Sequence, residues 1–264
     1  LLASITYLDT RGQQLPYIIY NTLITTAEAA GVALVFIGAY CVGMKILDRA
    51  LNLIAPNNCL GCEREGSIVC DWCLPDIFDA VPSRCAFCQA QTRDFQVCAF
   101  CKPKTPLRQI WVSTIYKDSA KQLVRHMKFN PDRSACVVIA SWLDQTSPYF
   151  EDVTITFVPT ARSRVRTRGF DHAELIAKEF AQIRNLPCKA LLTRAGNTRQ
   201  VTSERKKRIQ QVQGAYLPVS NHMPKRVILI DDIMTTGATL NEAARTLKQA
   251  GAKKVDACAF AQTI

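Results

Sequence analysis

The stretch VILIDDIMTTGATL, residues 227–240, places four apolar residues ahead of two adjacent carboxylates and then a threonine- and glycine-rich turn. A short apolar run bounded by turn residues is the pattern of a strand buried on both faces, and the turn opens a helix. Asp231 and Asp232 therefore stand where the strand leaves the sheet. Phosphate alone is repelled by such acids, and a bare metal ion makes little use of the turn. A phosphorylated sugar uses both. One carboxylate accepts hydrogen bonds from vicinal hydroxyls, while the N–H groups and hydroxyls of Thr235, Thr236, Gly237, Ala238 and Thr239 surround the phosphate at the positive end of the helix. Gly237 allows close backbone approach. The competing structural reading, a strand and helix joined through an acidic cap, needs only one such side chain.

Working outward, strands and helices alternate. Strands are expected at 110–116, 153–159, near 190–192, at 214–219, at 227–230 and at 254–262, with helices at 119–129, 134–143, 171–183, 204–211 and from the quoted turn to about Ala250. Such alternation predicts a mostly parallel sheet covered by helices, with ligands at the carboxyl ends of the strands.

Upstream of this pattern lie four C-x-x-C pairs: Cys59/Cys62, Cys70/Cys73, Cys85/Cys88 and Cys98/Cys101. Each pair turns two thiolates toward one tetrahedral ion, and two pairs complete a four-sulfur site, so the spacing predicts two structural Zn2+ ions. Disulfides, redox chemistry and iron–sulfur binding are weaker alternatives on the same spacing. Joining neighbouring pairs closes the shorter loops and is preferred over a crossed arrangement. So short a segment draws much of its folding free energy from the metal. Cys41, Cys136, Cys188 and Cys258 stand alone in apolar surroundings and read as small buried hydrophobes.

The net charge of +11 is concentrated at 161–208, where 13 Lys/Arg face 4 Asp/Glu. That zone favours an anionic partner, either phosphates in a pocket or a nucleic-acid backbone. The uncharged run 29–44 has 16 residues, short of the roughly 20 that span a bilayer. A tilted span, a signal-like segment and a buried helix compete there, and the preferred expectation is that 1–43 is an upstream extension with Met44 a natural start. The organisation expected is then an apolar extension (1–43), a helix with the cysteine-rich module (44–106), and an α/β domain (107–264).

The quoted run resembles the phosphoribosyl pyrophosphate (PRPP) signature of type I phosphoribosyltransferases. From Met44 onward the chain is similar to the ComF family: a double zinc ribbon, then LVRHMKF (123–129), FVPTARSRVRTRGFDHAELIA (157–177), RQVTSERKKRIQQVQGAY (199–216), and the PRPP loop. Asp171 and His172 replace an amide pair of that family, and Gln200 to Ser203 depart from its mobile-loop motif. The resemblance implies a type I phosphoribosyltransferase-like α/β fold with an N-terminal double zinc ribbon.

It further implies that Asp231 and Asp232 position a ribose, that residues 235–239 hold its 5′-phosphate, and that Arg162, Arg164, Arg166 or Arg168 meets the pyrophosphate with Mg2+. Arg199 and Gln200 belong to a loop that closes over the site. Three functions follow from it: phosphoribosyl transfer to an acceptor that no residue identifies, handling of single-stranded DNA with other DNA-uptake proteins during natural transformation, and non-catalytic PRPP sensing. A cytoplasmic location is expected. For the DNA reading, Phe87, Phe95 and Phe100 are candidate stacking platforms, although filling the small ribbons is their simpler role. The run 204–208 reads as a solvated helix face, and His126, His172 and His222 form no recognisable catalytic set.

Overall fold

The apolar run at 227–230 is the middle of a longer strand, and the sheet is assembled around it. In the computed structural model the elements are β1 (Ile110–Ile115), α1 (Asp118–Phe129), α2 (Ser134–Thr146), β2 (Thr154–Phe157), α3 (Arg162–Arg168), α4 (His172–Ile183), β3 (Leu192–Arg194), β4 (Tyr216–Pro218), β5 (Arg226–Met234), α5 (Ala238–Gln249) and β6 (Lys254–Gln262). The structure describes residues 57–130, 133–195 and 214–263. The expected extension, the helix after Met44, Cys41, Arg199, Gln200 and the helix at 204–211 lie outside them.

The sheet runs β1-β6-β5-β2 with every pair parallel. Alternate residues of β5 face opposite layers. Ile228 and Ile230 pack with α1, α2 and α4, whereas Val227 and Leu229 pack with α5. Helix α1 buries Ala120, Leu123, Val124 and Met127, the one-face spacing of an amphipathic helix, and α5 does the same with Leu240, Ala243, Ala244 and Leu247. The result is three layers with the sheet in the middle. Each fully buried side chain of Ile or Leu size contributes about 1.5–3 kcal/mol relative to exposure.

Three local features differ from expectation. Strand β5 continues through the two acids to Met234, because β6 pairs with it as far as Asp231↔Ala259, Ile233↔Ala261 and Met234↔Gln262. Tertiary pairing thus overrides the poor strand propensity of aspartate. Residues 162–168, outside the expected helices, form helix α3, which buries none of its residues and ends at Gly169 with φ +85. Strands β3 and β4 pair antiparallel in a sheet of their own.

The cysteine-rich segment shares both cores of the sheet. Ile68, Val69 and Phe78 join the layer of α2, where the Phe78 ring stands 5.1 Å from Trp142 and 5.2 Å from Phe260. Val81, Ala86 and Leu107 join the layer of α5. Asn57–Ile264 accordingly forms one compact unit. Among the described residues, no helix is long and apolar enough to cross a membrane.

Candidate ligand and metal sites

Strand β2 pairs with β5 only as far as Ile230, so the two acids emerge beyond the end of β2 while β6 still holds their backbone. Asp231 is buried and Asp232 half-buried. The Asp231 Oδ1 accepts from Asp232 N–H at 3.0 Å, and Asp232 Oδ1 accepts from Ile233 N–H at 2.8 Å. Burial and the neighbouring negative charge of Asp232 push the Asp231 carboxyl well above the usual carboxylate range. Burial works against ionisation of Asp232 too, but the Lys128 ammonium, 2.7 Å from its Oδ2, holds it below that range. The pair therefore divides: Asp231 is the readier to keep a proton, and Asp232 stays ionised.

Lys128 is a residue of this candidate site that sequence reasoning missed. It stands near the end of α1, just past the buried Met127, and no local pattern links it to β5. Its presence in the LVRHMKF segment is the only signal that points to it. Together with Phe129 and Asn130 it lines a cavity of about 380 Å3, whose other wall is Ser163, Arg164, Thr167 and Arg168 of α3. Helical spacing explains the selection: Arg164 and Arg168 lie four residues apart on one face. Arg162 and Arg166 are exposed and do not line it.

The RGFDH element braces this wall. Asp171 caps α4 through Ala173 N–H at 3.1 Å and accepts from the Thr160 amide (2.7 Å) and hydroxyl (2.8 Å), tying α4 to the chain that leaves β2. His172 is buried, its Nδ1 3.4 Å from Arg168 Nη1. Burial, then the charge of Arg168, depress its pKa, so the neutral ring can accept from that guanidinium. Asp171 thus anchors the start of α4, where His172 meets Arg168.

Beyond Met234 the chain makes the turn and enters α5. Thr235 and Thr236 are exposed, Ala238 and Thr239 half-buried, and Gly237 is buried with φ +73, in the left-handed region that favours glycine. The Ala238 N–H points at Thr236 Oγ1, 3.4 Å away. A second cavity, of about 420 Å3, is bounded by Thr236, Gly237, Ala238 and Asn241 on one side and by Phe87, Cys101, Lys104 and Thr105 on the other. Residues 235–239 and the α1/α3 cations thus flank the same end of β5.

Both cysteine groups close as neighbouring pairs. Cys59, Cys62, Cys70 and Cys73 form one cluster and Cys85, Cys88, Cys98 and Cys101 the other, with the sulfurs of each within 4.8 Å of one another. Sulfur separations of 3.6 Å (Cys59–Cys70), 3.7 Å (Cys62–Cys70) and 3.5 Å (Cys88–Cys98) approach the edge of about 3.8 Å that Zn–S bonds of about 2.3 Å impose on a tetrahedron. The Cys59 Sγ also accepts from Gly61 and Cys70 N–H groups. Burial raises its pKa, but these amides outweigh burial and bring it to about 6; burial likewise raises that of Cys85, but the Cys98, Cys88 and Phe87 amides bring it to about 7. Both clusters can hold Zn2+. Among the described residues no disulfide is formed; outside the clusters, Cys136 and Cys258 are buried and Cys188 half-buried. Of the three candidate stacking rings, Phe87 and Phe95 pack against the cores, and Phe100 is exposed with the Lys104 ammonium 4.1 Å from its centroid.

Residues 135–263 match the phosphoribosyl transferase domain family. The chain is 29% identical over 140 residues to the competence protein ComFC of Streptococcus pneumoniae, a match covering 53% of this chain and 62% of that one. It is 29% identical over 215 residues to ComFC of Bacillus subtilis, covering 77% of this chain and 83% of the relative. Among solved structures, the allosteric regulatory enzyme of purine biosynthesis aligns at 21% identity with a TM-score of 0.39, over 52% of this chain and 30% of that one. The match thus spans less than two thirds of the pneumococcal relative and of this solved structure.

Proposed function

The chain belongs to the ComF family, and from that premise we propose that it binds Mg2+-PRPP, or a closely related phosphoribosyl ligand, at the carboxyl end of β5, in the service of DNA uptake in the cytoplasm. The observation that carries the proposal is the order of groups along that end. The Lys128/Arg164/Arg168 wall, the Asp231–Asp232 pair and the turn about Gly237 follow one another as pyrophosphate, ribose and 5′-phosphate do in the ligand.

Each part has a physical task. The cations meet a polyanion whose charge grows further if the bond to pyrophosphate breaks. Oxygen acceptors on Asp231 and Asp232 take hydrogen bonds from the ribose hydroxyls, and an ionised Asp232 suits a hard, oxygen-seeking cation. Mg2+, when bound, neutralises charge on the pyrophosphate. The amides of residues 235–239 and the start of α5 hold the 5′-phosphate. In transfer, the ribose C1–O bond to pyrophosphate breaks as a bond to the acceptor forms; in sensing, the ligand stays intact.

Calorimetric titration with Mg2+-PRPP tests the proposal. Wild type is expected to bind, and the Asp231→Ala/Asp232→Ala variant to bind at least tenfold more weakly, about 1.4 kcal/mol. Equal binding by both sinks the ribose assignment. Consumption of PRPP in the presence of candidate acceptor bases separates transfer from sensing.

One observation favours the DNA reading as a second function of the same surface. Phe129 is 79% exposed at the mouth of the α1/α3 cavity, beside Arg164 and Arg168. An exposed ring flanked by cations is a stacking platform for single-stranded nucleic acid. Binding of oligo-dT across a salt series checks it: affinity is expected to fall steeply with salt and to drop in Phe129→Ala.

A further inference from the structure

The contacts between the second cysteine cluster and the phosphate turn point to a regulatory link. Phe87 lies inside the Cys85-Ala86-Phe87-Cys88 knuckle, so the chain path that places its ring is the path that wraps the metal. The ring packs against two hydrophobic groups at once, one formed with Cys85, Val97 and Cys101 and the other with β5 and α5. A Cβ built on Gly237 would lie 2.7 Å from Phe87 Cε1 and 2.6 Å from Met234 Cε. The knuckle therefore presses on the one residue of the turn that must take a positive φ.

Two more contacts join the same parts. Ala86 C=O accepts from the buried Gln262 Nε2 at 2.6 Å, and Gln262 is the register partner of Met234, where the turn begins. Lys104 C=O, just past Cys101, receives the Asn241 amide from the first turn of α5 at 3.5 Å. Both halves of the second cluster thus touch elements that define the turn. The first cluster supplies an internal control, since its hydrophobic neighbours Ile68, Val69 and Phe78 pack on the other layer of the sheet, with α2.

We infer that Zn2+ in the Cys85/Cys88/Cys98/Cys101 cluster and a phosphoribosyl ligand at the turn stabilise one another through the Phe87–Gly237 contact, whereas the first cluster is uncoupled from the ligand. The inference rests on the proposed PRPP site. Ordering the knuckle around the ion fixes the ring that backs Gly237, and a phosphate that orders the turn holds the ring, and so the knuckle, in place. Linkage makes the effect reciprocal.

The test reads zinc rather than turnover. Protein loaded with two Zn2+ per chain is mixed with a chromogenic chelator, with or without saturating Mg2+-PRPP, and release is followed in time; calorimetry on the same sample reports whether PRPP binds. The expected result is that PRPP slows release from one site about fivefold or more, within the usual range of coupling energies. Cys62→Ser, which disables the first cluster, keeps the slowed phase. Phe87→Ala loses it while still binding two Zn2+. If Phe87→Ala does not load, Phe87→Leu, which keeps bulk but not the ring edge, is expected to show a reduced effect. PRPP that does not bind at all removes the proposed site and this inference with it. PRPP that binds while both phases are unchanged, or that protects zinc equally in the Phe87 variants, overturns the inference alone.

Discussion

The Nζ of Lys128 lies 2.7 Å from the Oδ2 of Asp232, joining the end of the first helix of the α/β domain to the strand that carries both acids. With side chains 27% and 19% exposed, the pair is neither a surface ornament nor a sealed ion pair. It keeps one member of an adjacent acid pair ionised while the other takes on proton affinity. Removing the cation as Lys128→Gln is expected to weaken Mg2+-PRPP binding roughly tenfold and to cost about 1 kcal/mol of stability, a partly exposed pair standing between the surface and buried limits. Calorimetry and urea unfolding measure the two separately; unchanged affinity would remove Lys128 from the site.

Asp231 is the costly member of the pair, because its carboxylate is buried beside another negative charge. Asp231→Asn is expected to stabilise the ligand-free protein by about 1 kcal/mol while weakening ligand binding, the usual exchange between stability and a functional group. The sign follows from linkage. A raised folded pKa penalises the wild type once pH exceeds that value, so the gain is full there, shrinks as pH falls through the window down to the ordinary carboxylate value of about 3.9, and is absent below it. Asp232, with a depressed folded pKa, adds stability above the ordinary value and loses it only as pH drops through its own, lower one. Thermal melts of both proteins across this range are expected to show the gain fade as pH falls.

The arginines of α3 are expected to differ by face. Arg168 lines the cavity with Arg164 and is braced by His172, whereas Arg166 is exposed on another side of the helix. Arg168→Ala should weaken PRPP binding roughly tenfold and Arg166→Ala less than twofold, about 1.4 against 0.4 kcal/mol. Equal losses from both, read by calorimetry at fixed salt, would mean that the helix acts only through its overall charge.

What could be read from the chain follows the range of the forces involved. The strand, acids and turn of 227–240 and the four C-x-x-C pairs are local patterns whose chemistry is contained within a few residues, and they announce themselves. Helix α3 does not, since RSRVRTR has no apolar face to give it period and buries none of its residues. The continuation of β5 through two aspartates depends on β6, and the Lys128–Asp232 and Phe87–Gly237 contacts join residues far apart in sequence. Phe87 reads as ribbon fill from the sequence, and the structure adds what the sequence does not carry, the packing of its ring on the turn at Gly237.

The pairing of the cysteines gives a stoichiometric test. Cys59 and Cys70 belong to one cluster, so Cys59→Ser/Cys70→Ser is expected to retain one Zn2+ per chain. Cys59→Ser/Cys85→Ser breaks both clusters and should retain none. A crossed arrangement joining Cys59/Cys62 to Cys85/Cys88 reverses the two outcomes, and metal analysis of the purified variants distinguishes them. Loss of one ion should also lower the melting temperature, because the cluster and the adjoining apolar residues fold together.

Gly237→Ala joins the backbone and packing arguments in one substitution. At φ +73 an added Cβ is strained whatever the space, a cost of about 1–3 kcal/mol. It also meets the rigid Phe87 ring at 2.7 Å and the Met234 methyl at 2.6 Å, of which only the methyl can swing aside cheaply. The variant should therefore be destabilised beyond the backbone cost, with PRPP binding lost as the turn shifts. Adding Phe87→Ala removes the steric part but not the strain, so the double variant should lie closer to Phe87→Ala than additivity requires, with a coupling of about 0.5 kcal/mol or more. A cycle of denaturant unfolding on the four proteins measures that coupling directly; strict additivity would mean that the ring and the glycine do not meet in solution.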